Sequence, residues 1–330
     1  MEKKILRFGI IGTGFIANRC ASTFEVLADD AGLTAVASRS VEKAQEFAEK
    51  YHIPKSYGSY EELACDPDVD VVYIGTPHNF HLENIRMCAE HGKHIVCEKP
   101  MTISAAEARE VAELSRKHKV FIMEAYWSLF TPAYQKAKEL LASGVIGKYE
   151  FLRAELGFSH PGARGLRKID PKLAGGAMLD LGIYNIMIAY DIFGHDVKRV
   201  RAKAQLNEHG IDLYNAFSFE YENGAVAYLM DSVKGRFDNK AIVYGDSGCV
   251  TIHNYLGSYK VTLDAMGEPS QDFEFPYEKN GSEYEMRHAC ECIRQGLLES
   301  PVIPLSESVA IMEMADRLID MSGISVMKEK

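Results

Sequence analysis

The sequence predicts a two-domain α/β chain, with an N-terminal Rossmann-type doubly wound parallel sheet followed by an α+β domain on an open, mostly antiparallel sheet. Three observations carry this reading. Short Val/Ile-rich runs alternate with helical patterns through the first 125 residues, as strands buried on both faces by crossover helices do. A Gly-x-Gly turn, Gly12-Thr13-Gly14, separates the first apolar run from the first helical pattern. Beyond the helical stretch 132–143 the segments alternate in polarity instead, which marks half-buried strands. The change of pattern sets the boundary near Glu124 and gives domains 1–124 and 125–330.

The elements follow in order. Residues 8–11 form the first strand, and a helix begins near Ile16. Residues 33–37 lead to the helix Val41–Tyr51. The most apolar run, 69–74, precedes the helix His81–Glu90. Strand 94–97 is followed by helix 104–118, where Ser104 and Glu107 have the spacing of a capping box. Strand 120–123 closes the domain, and ligands are expected beyond the carboxyl ends of these strands. In the second domain the alternating segments are 149–156, 198–205, 214–221, 225–232, 241–244, 250–253 and 260–263. Asn223-Gly224 between two of them is a hairpin turn signal. Helices are expected over 176–193, 283–295 and 306–322.

Composition bounds the function. At roughly 150 residues per domain, 330 residues suit two domains, and 47% hydrophobic with 25% charged residues is ordinary for a globular chain. The 37 basic and 47 acidic residues leave a net charge of −10, which argues against nucleic acid or an anionic membrane as a general partner but permits a local basic pocket for a phosphate. No apolar run approaches the roughly 18 residues that a membrane span needs. The start, Met1 to Arg7, runs straight into the first strand and leaves no room for a signal peptide. Seven cysteines without a CxxC, and a Cys290-Glu-Cys292 pair too tight for zinc or redox work, point to reduced thiols in a cytoplasmic protein.

Gly12 suits the tight turn after the first strand, and Gly14 lets backbone N–H groups approach a pyrophosphate. Ala17 stands where a third glycine would allow close helix–strand packing. With Thr13, Phe15 and Ile16 these residues form a dinucleotide-binding loop at a helix N-terminus. The second strand ends in Ser38-Arg39, without the Asp or Glu that binds the ribose 2′-OH of NAD. Ser38, Arg39 and Lys43 can receive a 2′-phosphate, so NADP is expected, with NAD possible.

Glu98-Lys99-Pro100 follows the strand 94–97, at the carboxyl edge where a nicotinamide would lie. Together with Gly12-Thr-Gly14-Phe-Ile-Ala17, Met123-Glu-Ala-Tyr-Trp127 and the run from Gly175 to Tyr184, this motif resembles the glucose–fructose oxidoreductase/inositol dehydrogenase/MocA family. Within it the chain is most similar to the dihydrodiol dehydrogenase branch, which also oxidises D-xylose with NADP. The tail 291–307 resembles that branch too. The resemblance covers nearly the whole chain. It implies that Lys99 is the catalytic lysine and Tyr184 the general acid/base, where many other members carry a histidine. Asp180, one helical turn before Tyr184, is implied to line the substrate site with Trp127 and Arg153. In this family the Thr76-Pro77-His78-Asn79-Phe80-His81 loop flanks the nicotinamide ribose, and Glu98 adjoins it.

Each residue also has a plainer reading. Lys99 and Arg39 are otherwise solvated cations, Asp180 a helix-surface carboxylate, Tyr184 a core aromatic and Trp127 a domain-interface residue. His78 and His81 have metal-ligand spacing but no carboxylate or thiol partner nearby in sequence, so contact with the cofactor is preferred and no metal is expected. The function expected is hydride transfer between NAD(P) and a sugar, polyol or dihydrodiol, by a homodimer or dimer of dimers. Alternatives are a catalytically silent nucleotide-binding regulator and an oxidation–elimination enzyme acting on glycosides with tightly held NAD.

Overall fold

A strand that is apolar along its whole length is stable only with cover on both faces, and the N-terminal sheet is built of such strands. The computed structural model describes residues 4–159, 162, 165 and 168–326, so residues 1–3 at the expected leaderless start lie outside it. The described residues fall into two units. The first takes the chain up to Trp127 and then Tyr277–Ala310; the second takes Ser128–Pro276 and the chain from Ile311.

In the first unit β1 (Leu6–Ile11), β2 (Ala31–Ala37), β3 (Lys55–Tyr57), β4 (Val71–Ile74), β5 (His94–Glu98) and β6 (Ile122–Ala125) alternate with helices α1 (Phe15–Thr23), α2 (Val41–Tyr51), α3 (Tyr60–Cys65), α4 (His81–Glu90) and α5 (Ala105–His118). Among the described residues they form a six-stranded sheet of order β3-β2-β1-β4-β5-β6, and every neighbouring pair is parallel. All four residues of β4 are at most 2% exposed. On one face Ile11, Val72, Ile74, Ile95, Cys97 and Ile122 share a core with Leu63, Ile85, Cys88 and Val111. Strand order reverses between β1 and β4, the switch point at which such sheets bind ligands.

Local signals act as read, with differences. Ser104 Oγ accepts from Glu107 N, but the Glu107 carboxylate accepts from Ile103 N rather than from the cap residue. A complete capping box forms instead at Ser59 and Glu62. β3 and α3 carry no periodic pattern and were not expected. β6 begins two residues later than the apolar run at Val120.

A single boundary near Glu124 does not describe the chain. The segment 277–310 belongs with the first unit because its polar groups complete those of the first 127 residues. Arg294 binds the Asp30 carboxylate at 3.1 Å and the Asp30 carbonyl at 2.7 Å. Asn280 Nδ2 donates to the carbonyl of Arg19 at 3.1 Å. The Leu298 carbonyl accepts from Ile122 N and from Ser115 Oγ, each at 3.0 Å. Its helix α8 (Ser282–Arg294) packs on α1.

The second unit holds α6 (Pro132–Ala142), β7 (Tyr149–Gly157), α7 (Ile183–Phe193), β8 (Val197–Leu206), β9 (Asp212–Tyr221), β10 (Val226–Ser232), β11 (Ala241–Gly245), β12 (Gly248–His253), β13 (Lys260–Ala265) and β14 (Gln271–Glu274). A helix α9 (Leu305–Ser322) runs from the first unit's residues into the second's. Among the described residues the strands form one sheet of order β14-β13-β12-β11-β7-β10-β9-β8. Only β7 and β10 pair in parallel. The expected hairpin joins β9 and β10, with Gly224 at φ +89°. Residues alternate as the sequence pattern demands: Leu152, Ala154 and Leu156 are buried beneath α7, whereas Phe151 and Arg153 point to the other face.

One apolar segment, Pro171–Phe193, is long enough to cross a membrane, contrary to the expectation that none is. Its C-terminal part, the turn Met178–Gly182 and α7, forms the core helix of this unit, and 89% of the segment's most apolar window is buried inside the protein.

Candidate active site

The parallel register lines up the reactive edge. Ile11 pairs with Ala37 and with Ile74, and Ile74 with Cys97. Ser38, Gly12, Gly75 and Glu98 therefore stand side by side where the strands end.

Gly12 has φ +101°, a region that L side chains rarely adopt, and its N–H donates to the Ala37 carbonyl at 2.9 Å. A Cβ there would lie 3.1 Å from the Gly75 carbonyl, so β1 and β4 approach closely at the switch point. Gly14 caps α1 with an extended backbone and no side-chain cap, and a Cβ on it would meet nothing within 4 Å. Internal packing therefore does not require glycine at position 14. A backbone left bare over the first turn of α1 is the cradle that a pyrophosphate needs. Thr13 and Ile16 are half-buried, and Phe15 is 60% exposed beside the turn.

At the end of β2, Ser38 is buried, while Arg39, just ahead of the Ser40 cap, and Lys43, on the first turn of α2, are exposed. Ser40 caps that helix through Lys43 N. The arrangement presents two cations on the solvent side of the cradle, and among residues 37–41 there is no carboxylate to bind a ribose diol.

The loop after β4 divides into two groups. Thr76 is buried and Pro77, His78 and Asn79 are half-buried at its surface. His81, 1% exposed, has Nδ1 2.8 Å from the Pro100 carbonyl and Nε2 2.8 Å from the Thr76 carbonyl. Both ring nitrogens are thus occupied by carbonyl oxygens, and the expected contact of His81 with cofactor is replaced by a strut between two loops. It cannot serve as a metal ligand with His78. Pro100 itself follows Lys99 through a cis bond.

Lys99 is half-buried at the carboxyl end of β5. The preceding Glu98 is 9% exposed and accepts a hydrogen bond from the Tyr73 hydroxyl; burial pushes its carboxyl up, and Tyr73 and the Lys99 charge oppose the shift. From the returning tail, Glu285 is 2% exposed, and burial and the Glu98 charge hold its carboxyl well above the usual carboxylate range. Arg19 of α1 opposes that shift and stacks 3.9 Å over the Trp127 ring. Trp127 also meets Tyr277 edge-on at 6.2 Å. Sequence reasoning missed Arg19, Asn280 and Glu285, because more than 250 residues separate the tail from α1.

In the second unit Asp180 and Tyr184 sit at the start of the long core helix. The sequence predicts ordinary α-helix there, but Met178–Gly182 is a π-helical turn leading into α7. Tyr184 is 1% exposed. Asp180 is half-buried and ion-paired with Lys168. Lys168 was also missed, since only the fold of the loop 168–176 aims it at this turn; its carbonyl accepts from Gly176 N at 2.8 Å. Arg153 is not brought to this place. It lies on β7 between Tyr228 and Ile242, on the sheet face opposite α7. The family resemblance implies a place for Arg153 in the substrate site, but alternation along β7 sends residues 152 and 153 to opposite faces.

A parallel sheet with a glycine cradle at its switch point, followed by a substrate-type unit bearing an Asp-x-x-x-Tyr turn, defines a nicotinamide-dinucleotide-dependent oxidoreductase. Residues 6–126 match the oxidoreductase family, NAD-binding Rossmann fold, and residues 134–251 match the GFO/IDH/MocA C-terminal domain. The chain belongs to the Gfo/Idh/MocA oxidoreductase family, as the resemblance in its motifs implies. It is 37% identical to a mouse trans-1,2-dihydrobenzene-1,2-diol dehydrogenase over 98% of this chain and 99% of that one. A Xenopus laevis protein of the same name is 35% identical, over 96% and 98%. An aldose-aldose oxidoreductase from Caulobacter crescentus, solved with glycerol, superposes with a TM-score of 0.87 at 25% identity, over 97% and 98%. The protein is an NAD(P)-dependent dehydrogenase.

Proposed function

We propose that this dehydrogenase oxidises a secondary hydroxyl of a sugar, polyol or dihydrodiol with NADP, with Tyr184 as the proton-transferring group. The observation that carries the reading is the π-turn that bears Asp180 and leads directly into Tyr184 on α7, with Lys168 paired to Asp180. The names of the full-length relatives support a vicinal diol as substrate.

Bound NADP supplies the hydride acceptor. The chain's own residues do the rest. Gly12 and Gly14 with the N-terminus of α1 hold the pyrophosphate, and Arg39, Lys43 and Ser38 receive the 2′-phosphate. Thr76, Pro77, His78 and Asn79, with Glu98, flank the nicotinamide ribose. A phenol with an ordinary pKa of about 10 is a weak base at neutral pH, and an ammonium acting on it favours the phenolate. The family resemblance gives that role to Lys99, and Tyr184 takes the hydroxyl proton in oxidation and returns it in reduction. Asp180 orients the substrate hydroxyls with its negative charge held by Lys168, and Trp127 contributes a wall.

Absorbance of the reduced nicotinamide, followed with a panel of aldoses, inositols and dihydrodiols, tests the activity. No turnover on any of them, with NADP binding intact, would favour a silent regulator. Tyr184→Phe should lower kcat by about 100-fold or more, the smaller end of the general acid–base contribution, while NADP binds normally. Lys99→Met should be comparably damaging, and the double variant much less than multiplicatively worse, because groups acting as one unit are not additive. A Tyr184→Phe enzyme that keeps its kcat, with hydride transfer shown to be rate-limiting by a deuterium effect, removes Tyr184 from the mechanism.

We also infer a homodimer, or a dimer of dimers, paired through the open face of the second sheet. All seven cysteines are free, which supports a reducing compartment, the cytoplasm.

A further inference from the structure

Beneath the π-turn lies a polar cluster that the chemistry above does not use: Asp212, Asn215, Asp231, Asn185 and Tyr255, each at most 5% exposed. Buried polar groups left without partners cost about 1–3 kcal/mol each, so their placement needs a physical reason. Asn215 Nδ2 donates to Asp212 Oδ2 at 2.6 Å and to Asp231 Oδ1 at 2.7 Å. Asp212 Oδ2 also accepts, at 2.6 Å, from the backbone N–H of Met178, the first residue of the turn. Asp231 reaches the other end, where a Cβ on Gly182 would lie 2.9 Å from Asp231 Oδ2 and 2.6 Å from Met178 Sδ. Just ahead of the turn, Gly176 at φ +143° clears the way for Asp212, whose Oδ1 would stand 2.2 Å from an added Cβ. Asn185, the residue after Tyr184, donates to the Met230 carbonyl at 3.0 Å and accepts from the Tyr255 hydroxyl. The cluster grips the chain before, along and after the segment that carries Asp180 and Tyr184.

A π-turn interrupts α-helical bonding and is uncommon outside functional sites, so what holds it sets the direction of its side chains. We propose that Asp212 and Asp231, joined through Asn215, are positioning residues that hold the π-turn and thereby set Asp180 and Tyr184 for proton transfer. The proposal rests on the roles given to Asp180 and Tyr184 above. Two carboxyl oxygens bonded to one nitrogen are no further apart than the sum of those two bonds. Buried like charges at that separation do not both ionise. Burial accordingly raises both carboxyls, and the Asp212 charge adds to the rise at Asp231. Asp212→Asn leaves an oxygen at that place to accept from the Met178 N–H.

The test uses the full-length enzyme with NADP and either D-xylose or trans-1,2-dihydrobenzene-1,2-diol, whichever turns over faster. Each variant is assayed well below its melting temperature. Asp212→Ala removes the acceptor of Met178 N–H and is expected to lower kcat at least tenfold, with the KM and the dissociation constant for NADPH within about threefold. Asp212→Asn keeps an acceptor and should retain kcat within about threefold. Gly182→Ala crowds both Asp231 Oδ2 and Met178 Sδ, displacing the turn from its seat with both carboxyls intact, and should lower kcat as well. A merely structural role would lower the melting temperature of these variants and leave the kcat of the folded enzyme unchanged. If Asp212→Ala does not fold, Gly182→Ala alone decides. Impaired Tyr184→Phe beside wild-type kcat in Gly182→Ala and Asp212→Ala overturns the positioning role alone. Wild-type kcat in Tyr184→Phe overturns this proposal and the reading beneath it together.

Discussion

Glu124 is a carboxyl held out of water at 1% exposure on β6, with Oε1 accepting from Met101 N at 2.8 Å. Burial pushes its pKa from the ordinary 4.5 to about 7, against the hydrogen bonds and the charge of Lys99. A carboxyl raised in the folded state gives stability that is full below its ordinary value and is lost as pH rises through the folded one. Over that window the loss amounts to about 3 kcal/mol, at 1.36 kcal/mol per pH unit. Glu124→Gln keeps the acceptor and removes the titration. Denaturant unfolding should find the variant close to wild type at pH 5 and more stable by up to that amount at pH 8. An equal difference at both pH values would show that Glu124 does not titrate in this window. Arg39 tests the cofactor at the same scale: Arg39→Ala should raise the KM for NADP far more than that for NAD, since one charge-assisted contact to phosphate is lost. Equal loss with both would remove Arg39 from 2′-phosphate recognition.

The element at which sequence and structure agree best is the turn into α1, and it separates binding from folding. Gly14 has φ −78°, which any residue adopts, and an added Cβ meets no protein atom. Gly14→Ala should therefore change stability by no more than about 1 kcal/mol, an N-cap effect. It should weaken NADPH at least tenfold in a fluorescence titration if the pyrophosphate approaches this backbone as proposed, because the methyl group would stand in its way. Unchanged affinity would place the phosphates elsewhere. Such an element is legible because its chemistry is written in consecutive residues, and the strands of both sheets are legible because polarity alternates or is uniformly apolar along them. β3, with three half-buried residues, and β14, four residues at a sheet edge, carry too little pattern to be read. The π-turn is invisible for a different reason. Its sequence is good α-helix, and what holds it comes from Asp212 and Asp231, some 30 to 50 residues further on. Lys168 and Glu285 belong to the same class, since only tertiary structure brings them to the sites. His81 and Arg153 show the converse: their residue types fit a site, but both nitrogens of one are taken by carbonyls and the other lies on the far face of its sheet.

At the scale of the whole molecule the second sheet poses the largest physical problem. Its helices cover one face. On the other, Phe151 packs against Tyr228 at 5.2 Å and against Tyr244 at 5.9 Å, and Tyr228 and Met230 remain 51% and 39% exposed. An aromatic cluster running across β11, β7 and β10 is apolar surface that water does not stabilise, and patches of this kind mark association. The edge strand β8 differs, with exposed Arg199, Arg201 and Lys203. Such charges discourage edge-to-edge strand pairing, which directs contact to the face. The occupant argued for is a second copy of the chain, because a patch of its own kind completes a closed two-fold interface without a further partner. Light scattering at micromolar concentration should give twice the mass of one chain, or four times for a dimer of dimers. Tyr228→Glu puts a charge into the middle of the cluster and should give the single-chain mass with both sheets still folded by circular dichroism. A wild-type protein of single-chain mass would leave the aromatic face to some other partner. An unchanged mass in Tyr228→Glu would move the interface away from this face.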